Sequence, residues 1–301
     1  MKHHFMFLLV VLLSVLLIGC SENQSSKDNS EATPATAVIT KDAAPTNAST
    51  ITPAPTTAPE PEPIADTEVY VFIAASLSNV MEDIAVNYKE TQPNVKITYN
   101  ADSSGTLQTQ IEEGAECDIF FSAATKQMST LQEEGYVAAE SIVNLLENKV
   151  VLIKPAGTET KVTGFENIYE AQSLALAAES VPVGDYARQI FQTLGIWDKV
   201  QEMEINEGSN VTAVLSAVSE ASNEVGVVYE TDARSMKDLV EVITAAPEGS
   251  LSSPVIYPIG RVINPEANDI QKKAADDFIQ FLSSDIAKAL FEEYGFTIAS
   301  K

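Results

Sequence analysis

The chain has 301 residues, with 18 Lys+Arg against 43 Asp+Glu, for a formal net charge of −25. An acidic surface of this kind repels nucleic-acid phosphates and anionic lipid head groups, so neither is an expected partner. Both histidines, His3 and His4, lie in a leader-like start, so a cleaved chain excludes Ser-His-Asp and Cys-His nucleophilic machinery and His-ligated zinc or iron, although paired-carboxylate catalysis stays possible.

Lys2 precedes an apolar run from Phe5 to Leu13, then Ser14, Val15–Ile18, Gly19 and Cys20. A basic start and a short apolar core read as a secretory signal over 1–19; a membrane-spanning helix needs roughly 20 apolar residues. Leu17-Ile18-Gly19-Cys20 resembles a bacterial lipobox, which makes Cys20 the lipidated N-terminus and places the protein outside the cytoplasm on the cell membrane. Removing 1–19 leaves 17 basic against 43 acidic residues, a net −26. Residues 21–66 hold 7 of the 14 prolines and no glycine or aromatic residue. Such a segment buries too little apolar surface to offset its ordering entropy, so 20–66 is expected to be a disordered, semi-extended tether.

From there short apolar runs alternate with amphipathic ones. Val69–Ala74 is a strand candidate, followed by a helix from Leu77 with Val80, Ile84 and Tyr88 on one face. Val95–Tyr99 is a strand, Thr106–Glu113 a helix stopped by Gly114, and Asp118–Ser122 a strand. A helix carrying Met128 and Leu131 ends at Gly135. Lys149–Lys154 and Leu174–Ala177 are strands, Gly184–Leu194 a helix closed by Gly195, and 211–221 another helix. Val225–Tyr229 and Tyr257–Val262 are strands, and Ile270–Phe291 supplies one or two helices. The alternation predicts an α/β fold with mostly parallel sheets. With one cysteine, Cys117, the folded part has no internal disulfide, and Cys117 reads as a small buried thiol.

Four strands enter helices through small polar junctions: Ala74-Ala75-Ser76, Asp102-Ser103-Ser104-Gly105, Pro182-Val183-Gly184 and Gly208-Ser209-Asn210. A helix start presents unpaired N–H groups and a positive dipole end, so each junction can receive an anion. For any single junction the ordinary explanation is N-capping. No P-loop lysine motif, no G-x-S-x-G elbow and no dinucleotide glycine fingerprint occurs, so ATP hydrolysis by this chain and nucleophilic catalysis by Ser76 are not expected.

Several stretches resemble one known family. They are Ala74-Ala75-Ser76-Leu77, Ser103-Ser104-Gly105, Asp118-Ile119-Phe120-Phe121-Ser122-Ala123, and Val181-Pro182-Val183-Gly184-Asp185-Tyr186-Ala187. Gly226-Val227-Val228-Tyr229, Thr231-Asp232-Ala233, Tyr257-Pro258-Ile259 and Tyr294-Gly295-Phe296 continue the series. In this order they resemble the substrate-binding proteins of molybdate ABC transporters (ModA-type), in the type II periplasmic-binding superfamily. The resemblance spans Val69 to Ile298. It implies two α/β lobes, 67–147 plus 257–301 and 148–256, joined by crossing segments near Val150–Ile153 and Tyr257–Val262, with an oxyanion in the cleft between them.

By the same resemblance, the oxyanion is held by the hydroxyls of Ser76, Ser104 and Tyr229 and by backbone N–H groups of Val183 and Val211. Three positions depart from the pattern: Val183 stands where many relatives carry alanine, Asp102 precedes the serine pair, and Asp185 follows Gly184. The implied protein is not an enzyme and needs no cofactor. It is a monomeric receptor that delivers molybdate or tungstate to an ABC permease and its ATPase. A sulfate or phosphate receptor on the same fold, a ligand-sensing lipoprotein and a carboxylate-dependent glycan hydrolase are the alternatives. The donor-rich junctions speak against the hydrolase.

Overall fold

The computed structural model describes residues 63–300; the expected signal segment 1–19, Cys20 and the tether as far as residue 62 lie outside the described residues. In chain order the elements are β1 (Thr67–Ala74), α1 (Ser78–Thr91), β2 (Val95–Asp102), α2 (Ser104–Glu112), β3 (Ile119–Phe121), α3 (Thr125–Glu133) and β4 (Val143–Asn148). There follow β5 (Val150–Pro155), β6 (Ser173–Ala177), α4 (Pro182–Thr193), α5 (Trp197–Gln201), β7 (Glu204–Gly208), α6 (Val211–Ser219) and β8 (Val225–Tyr229). The last are α7 (Glu230–Ser235), β9 (Val240–Ala245), β10 (Val255–Arg261), α8 (Asp269–Leu282), α9 (Asp285–Glu293) and β11 (Thr297–Ile298).

The strands form two sheets, one ordered β11-β4-β10-β3-β1-β2 and the other β7-β6-β8-β5-β9. β1 reads TEVYVFIA and is buried along most of its length, as a strand covered by helices on both faces must be. β8 (VGVVY) is buried throughout and sits centrally in the second sheet. Gly114 and Gly195 end their helices with φ of +87° and +69°, the left-handed cap that glycine adopts without strain. The long C-terminal pattern resolves into two helices because Ser284 caps α9 by accepting from the Ala287 N–H.

The expectation of mostly parallel sheets does not hold: both are mixed. β1 pairs in parallel with β2 and β3, and β6 with β7 and β8. β10 runs antiparallel to β3 and β4, and β5 antiparallel to β8 and β9. Parallel neighbours need a crossover helix, and where the chain passes between sheets there is none. Lys149 alone separates β4, in the first sheet, from β5, in the second, and the return runs through 246–254. The passages therefore lie beside the expected segments: Val150–Ile153 pairs only within the second sheet, and 257–261 only within the first.

One buried carboxylate ties the first lobe together. Asp118 is 2% exposed and accepts from the Tyr70 N–H (2.8 Å), from Asn264 Nδ2 (2.9 Å) and from Gln271 Nε2 (3.0 and 3.1 Å). The buried carboxyl group is held by uncharged donors from β1, the loop after β10 and α8. Cys117 beside it is buried, and burial pushes its thiol up, as an inert core thiol requires. Asp118→Ala leaves these donors unpaired and is expected to lower unfolding stability by about 2–4 kcal/mol in urea titration; a loss below about 0.5 kcal/mol contradicts this role.

Candidate functional site

The parallel strands β1 and β2 of the first sheet, and β6 and β7 of the second, end at the four junctions. After Ala74 the backbone makes one 3-10 turn, Ala75–Leu77, before α1, and the half-buried Ser76 places its Oγ 2.9 Å from the Tyr257 hydroxyl. At the second junction Ser103 is the N-cap, its hydroxyl accepting from the Thr106 N–H (3.1 Å). Ser104, the first residue of α2, is thereby released from capping. It is fully buried, and its Oγ accepts from the Ala123 N–H at 2.9 Å. An amide only donates, so the Ser104 proton remains available to another acceptor.

In the second lobe, α4 starts with Pro182, which has no N–H, so Val183 contributes the first free amide of that helix. No side chain caps it. Its own side chain is wholly buried in the hydrophobic core. At α6 the N-cap Asn210 accepts from the Ala213 N–H (2.9 Å), which leaves the Val211 amide outside the cap. Tyr229 ends β8; its N–H donates to Asp232 Oδ2 (3.1 Å), and its ring is 1% exposed. The Tyr229 hydroxyl is buried without a partner among the described residues. A buried O–H left unpaired is costly unless something supplies the acceptor.

The junctions converge across the two lobes. Asn210 Nδ2 donates to Asp102 Oδ1 (3.1 Å), α6 packs against the 3-10 turn holding Ser76, and Lys126 of α3 lies 3.6 Å from Asp185 of α4. A Cβ placed on Gly105 would stand 2.2 Å from the Ser180 carbonyl oxygen just ahead of α4, so the lobes meet where a side chain does not fit. Ser76 and Tyr229 are linked through Tyr257, whose ring contacts that of Tyr229 edge-on at 5.7 Å. The cleft is thus bordered by helix starts from both lobes and by hydroxyls with protons to donate.

Within this chain, residues 69–297 match the family described as bacterial extracellular solute-binding protein. The chain belongs to that family. It is 33% identical over 239 residues to the molybdate-binding protein ModA of Haemophilus influenzae, covering 77% of this chain and 91% of ModA. It is also 33% identical over 297 residues to YvgL of Bacillus subtilis, named as an ABC transporter substrate-binding lipoprotein, with 98% of both chains covered. Among solved structures, a substrate-binding domain from Clostridium difficile assigned to a molybdenum ABC transporter superposes with a TM-score of 0.59. It is 33% identical and covers 77% of this chain and 99% of that one. The protein is therefore a ModA-type, two-lobed ABC transporter substrate-binding protein rather than an enzyme. Among the described residues no helix is long and apolar enough to cross a membrane.

In this solute-binding protein both acidic departures are engaged by neighbours. Asp102 Oδ1 accepts from its neighbour Ser103 N–H (2.7 Å) as well as from Asn210. Asp185 accepts from Gln189 (3.3 Å) and faces Lys126. Sequence reasoning assigned no role to Asn148, nor to Thr231, Asp232 or Tyr257 beyond their places in the family pattern. Asn148 Nδ2 donates both to Thr231 Oγ1 (2.9 Å) and to the Tyr257 hydroxyl (3.2 Å). No periodicity in the chain links residues so far apart; only the fold brings them together.

Burial pushes the Asp232 carboxyl up to about 7, against the partial relief of its bond from the Tyr229 N–H. In the unfolded chain an aspartate titrates near 4, so between about pH 4 and 7 the native state holds a proton that the unfolded state has released. The stabilising contribution of the protonated form is therefore present at low pH and lost as pH rises through this window. Asp232→Asn removes that slope. The stability of the variant relative to the parent is expected to rise between pH 4 and 7, by on the order of 3 kcal/mol, and to level off above pH 8. A difference constant across that range in parallel urea titrations refutes the assignment.

Proposed function

We propose that this protein is an extracytoplasmic, lipid-anchored receptor that captures molybdate or tungstate and hands it to an ABC permease driven by its ATPase. The observation that carries the reading is the polarity of the cleft. Among the described residues the Tyr229 hydroxyl is buried without a hydrogen-bond partner, and the buried Ser104 hydroxyl accepts from an amide that can only donate. Two first-turn amides, Val183 and Val211, and the Ser76 hydroxyl complete the proposed donor set. Molybdate and tungstate are doubly charged, proton-free tetrahedral anions near neutral pH, so they present acceptors only, and a matched site presents donors only.

Uncharged dipoles in a dry cleft hold such a guest without burying a lysine or arginine, whose desolvation is costly. This reconciles anion binding with a chain of net charge −25. Closing the lobes removes water and strengthens each contact. Rejection of the smaller sulfate falls to the size of the cavity. The anchor draws support from the lipobox-like Leu17-Ile18-Gly19-Cys20 and from the lipoprotein relative, whose match runs over nearly the whole chain. The receptor works as a monomer, without nucleic acid and without a resident cofactor, the metal arriving only as its oxyanion.

Calorimetry of the full chain in detergent tests the ligand, with molybdate, tungstate, sulfate and phosphate as titrants. Binding of molybdate and tungstate at 1:1 with micromolar or tighter affinity is expected; heat from sulfate or phosphate with none from molybdate overturns the assignment. In the same assay Ser104→Ala and Ser76→Ala are each expected to weaken molybdate binding by about 1–3 kcal/mol, the loss of one donor to a charged acceptor. Unchanged affinity in both variants removes these serines from the site.

A further inference from the structure

We infer that Asn148 and Tyr257 form a one-way hydrogen-bond relay that fixes Ser76 as a donor toward the bound oxyanion. The inference rests on the oxyanion reading above and adds two positioning residues to it. Its starting point is the orientation of the Asn148 side chain. The Lys149 backbone N–H lies 2.8 Å from Asn148 Oδ1. A backbone N–H needs an acceptor, so the oxygen of the amide faces Lys149 and the nitrogen faces inward.

That nitrogen has two protons, directed to Thr231 Oγ1 at 2.9 Å and to the Tyr257 hydroxyl oxygen at 3.2 Å. An amide nitrogen of this kind cannot accept, so the Tyr257 oxygen must, and its own proton is directed to a different partner. Ser76 Oγ lies within hydrogen-bond reach at 2.9 Å and is assigned as that partner. Burial holds the Tyr257 phenol well above its usual range, which keeps that proton in place. Because the Tyr257 proton already fills this contact, Ser76 turns its own proton outward.

The reverse arrangement, Ser76 donating to Tyr257, would set a serine lone pair against an oxyanion that offers nothing but lone pairs. Ser104 reaches the same donor state by a shorter route, through the Ala123 N–H. Chains of hydrogen bonds polarise one another in a low-dielectric interior, so the relay also strengthens the terminal O–H.

The placement of the relay has a structural cause. Tyr257 is fully buried in β10, and the ladder to β4 shifts register between Tyr257 and Pro258. Proline cannot donate to the ladder, and a bulge of this kind re-aims the neighbouring side chain. Asn148 closes β4, one residue before the passage into the second lobe, and Thr231 belongs to α7, which packs on that lobe's strands. The same amide therefore touches the passage between the lobes, a helix of the second lobe and, through Tyr257, a residue of the cleft.

A double-mutant cycle on the full chain, read as the molybdate dissociation constant by calorimetry, tests the relay. Tyr257→Phe keeps the ring and removes the hydroxyl. It is expected to weaken binding about 5- to 20-fold in the parent, and less than about 2-fold when Ser76→Ala is already present. Asn148→Ala, which leaves the Tyr257 ring in place, is expected to show the same dependence on Ser76 and serves if Tyr257→Phe does not fold. A merely structural role would carry the same fold-loss into both backgrounds. Parent-like affinity of Tyr257→Phe, or an equal loss with and without Ser76, overturns the relay while leaving the oxyanion reading intact. A parent protein that binds none of molybdate, tungstate, sulfate and phosphate overturns both.

Discussion

A hydroxyl that already accepts a hydrogen bond from a group able only to donate must point its own proton elsewhere. That constraint organises the cleft. The Ala123 N–H imposes it on Ser104, and the buried Tyr229 hydroxyl has no hydrogen-bond partner among the described residues. The first-turn amides of α4 and α6 add donors that helix geometry leaves free. Each group is neutral, and each depends on its neighbour being a donor rather than an acceptor.

The acidic groups bordering the cleft are managed by the same means. Asp102 is occupied by Ser103 and by Asn210 from the opposite lobe, and Asp185 by Gln189 and Lys126. The Asp102–Asn210 bond has a double effect, because Asn210 also caps α6 and so holds the start of that helix against the first lobe. The Lys126–Asp185 pair is partly exposed and contributes little energy by itself. It does bring opposite charges together where the two lobes face each other. An acidic chain can thus border an anion site while its carboxylates are turned to other partners.

Much of the fold is legible along the chain because buried strands and amphipathic helices carry strong periodic signals. The run Val225–Tyr229 is a strand with the expected bounds, and the starts of α2, α4 and α6 fall on the polar junctions. Four strands escaped, one of them the two-residue β11. β4, β7 and β9 read VNLLEN, EINEG and VEVITA; β7 and β9 are sheet edges with largely exposed side chains, and none carries a long apolar run. The mixed direction of the sheets was also hidden, since it depends on where the chain changes lobe. At the site, junction chemistry suggested anion-ready helix starts one at a time, and the family resemblance supplied Tyr229. Tyr257, 181 residues from Ser76, and Asn148 could be joined to the cleft only by the folded chain.

The most direct measurement is a crystal structure of the molybdate complex, with the metal located by its anomalous scattering. One metal centre is expected between the lobes, its oxygens at about 2.6–3.1 Å from the hydroxyls of Ser76, Ser104 and Tyr229 and from the amides of Val183 and Val211. An anion held instead by lysine or arginine side chains, or centred away from these five groups, would contradict it.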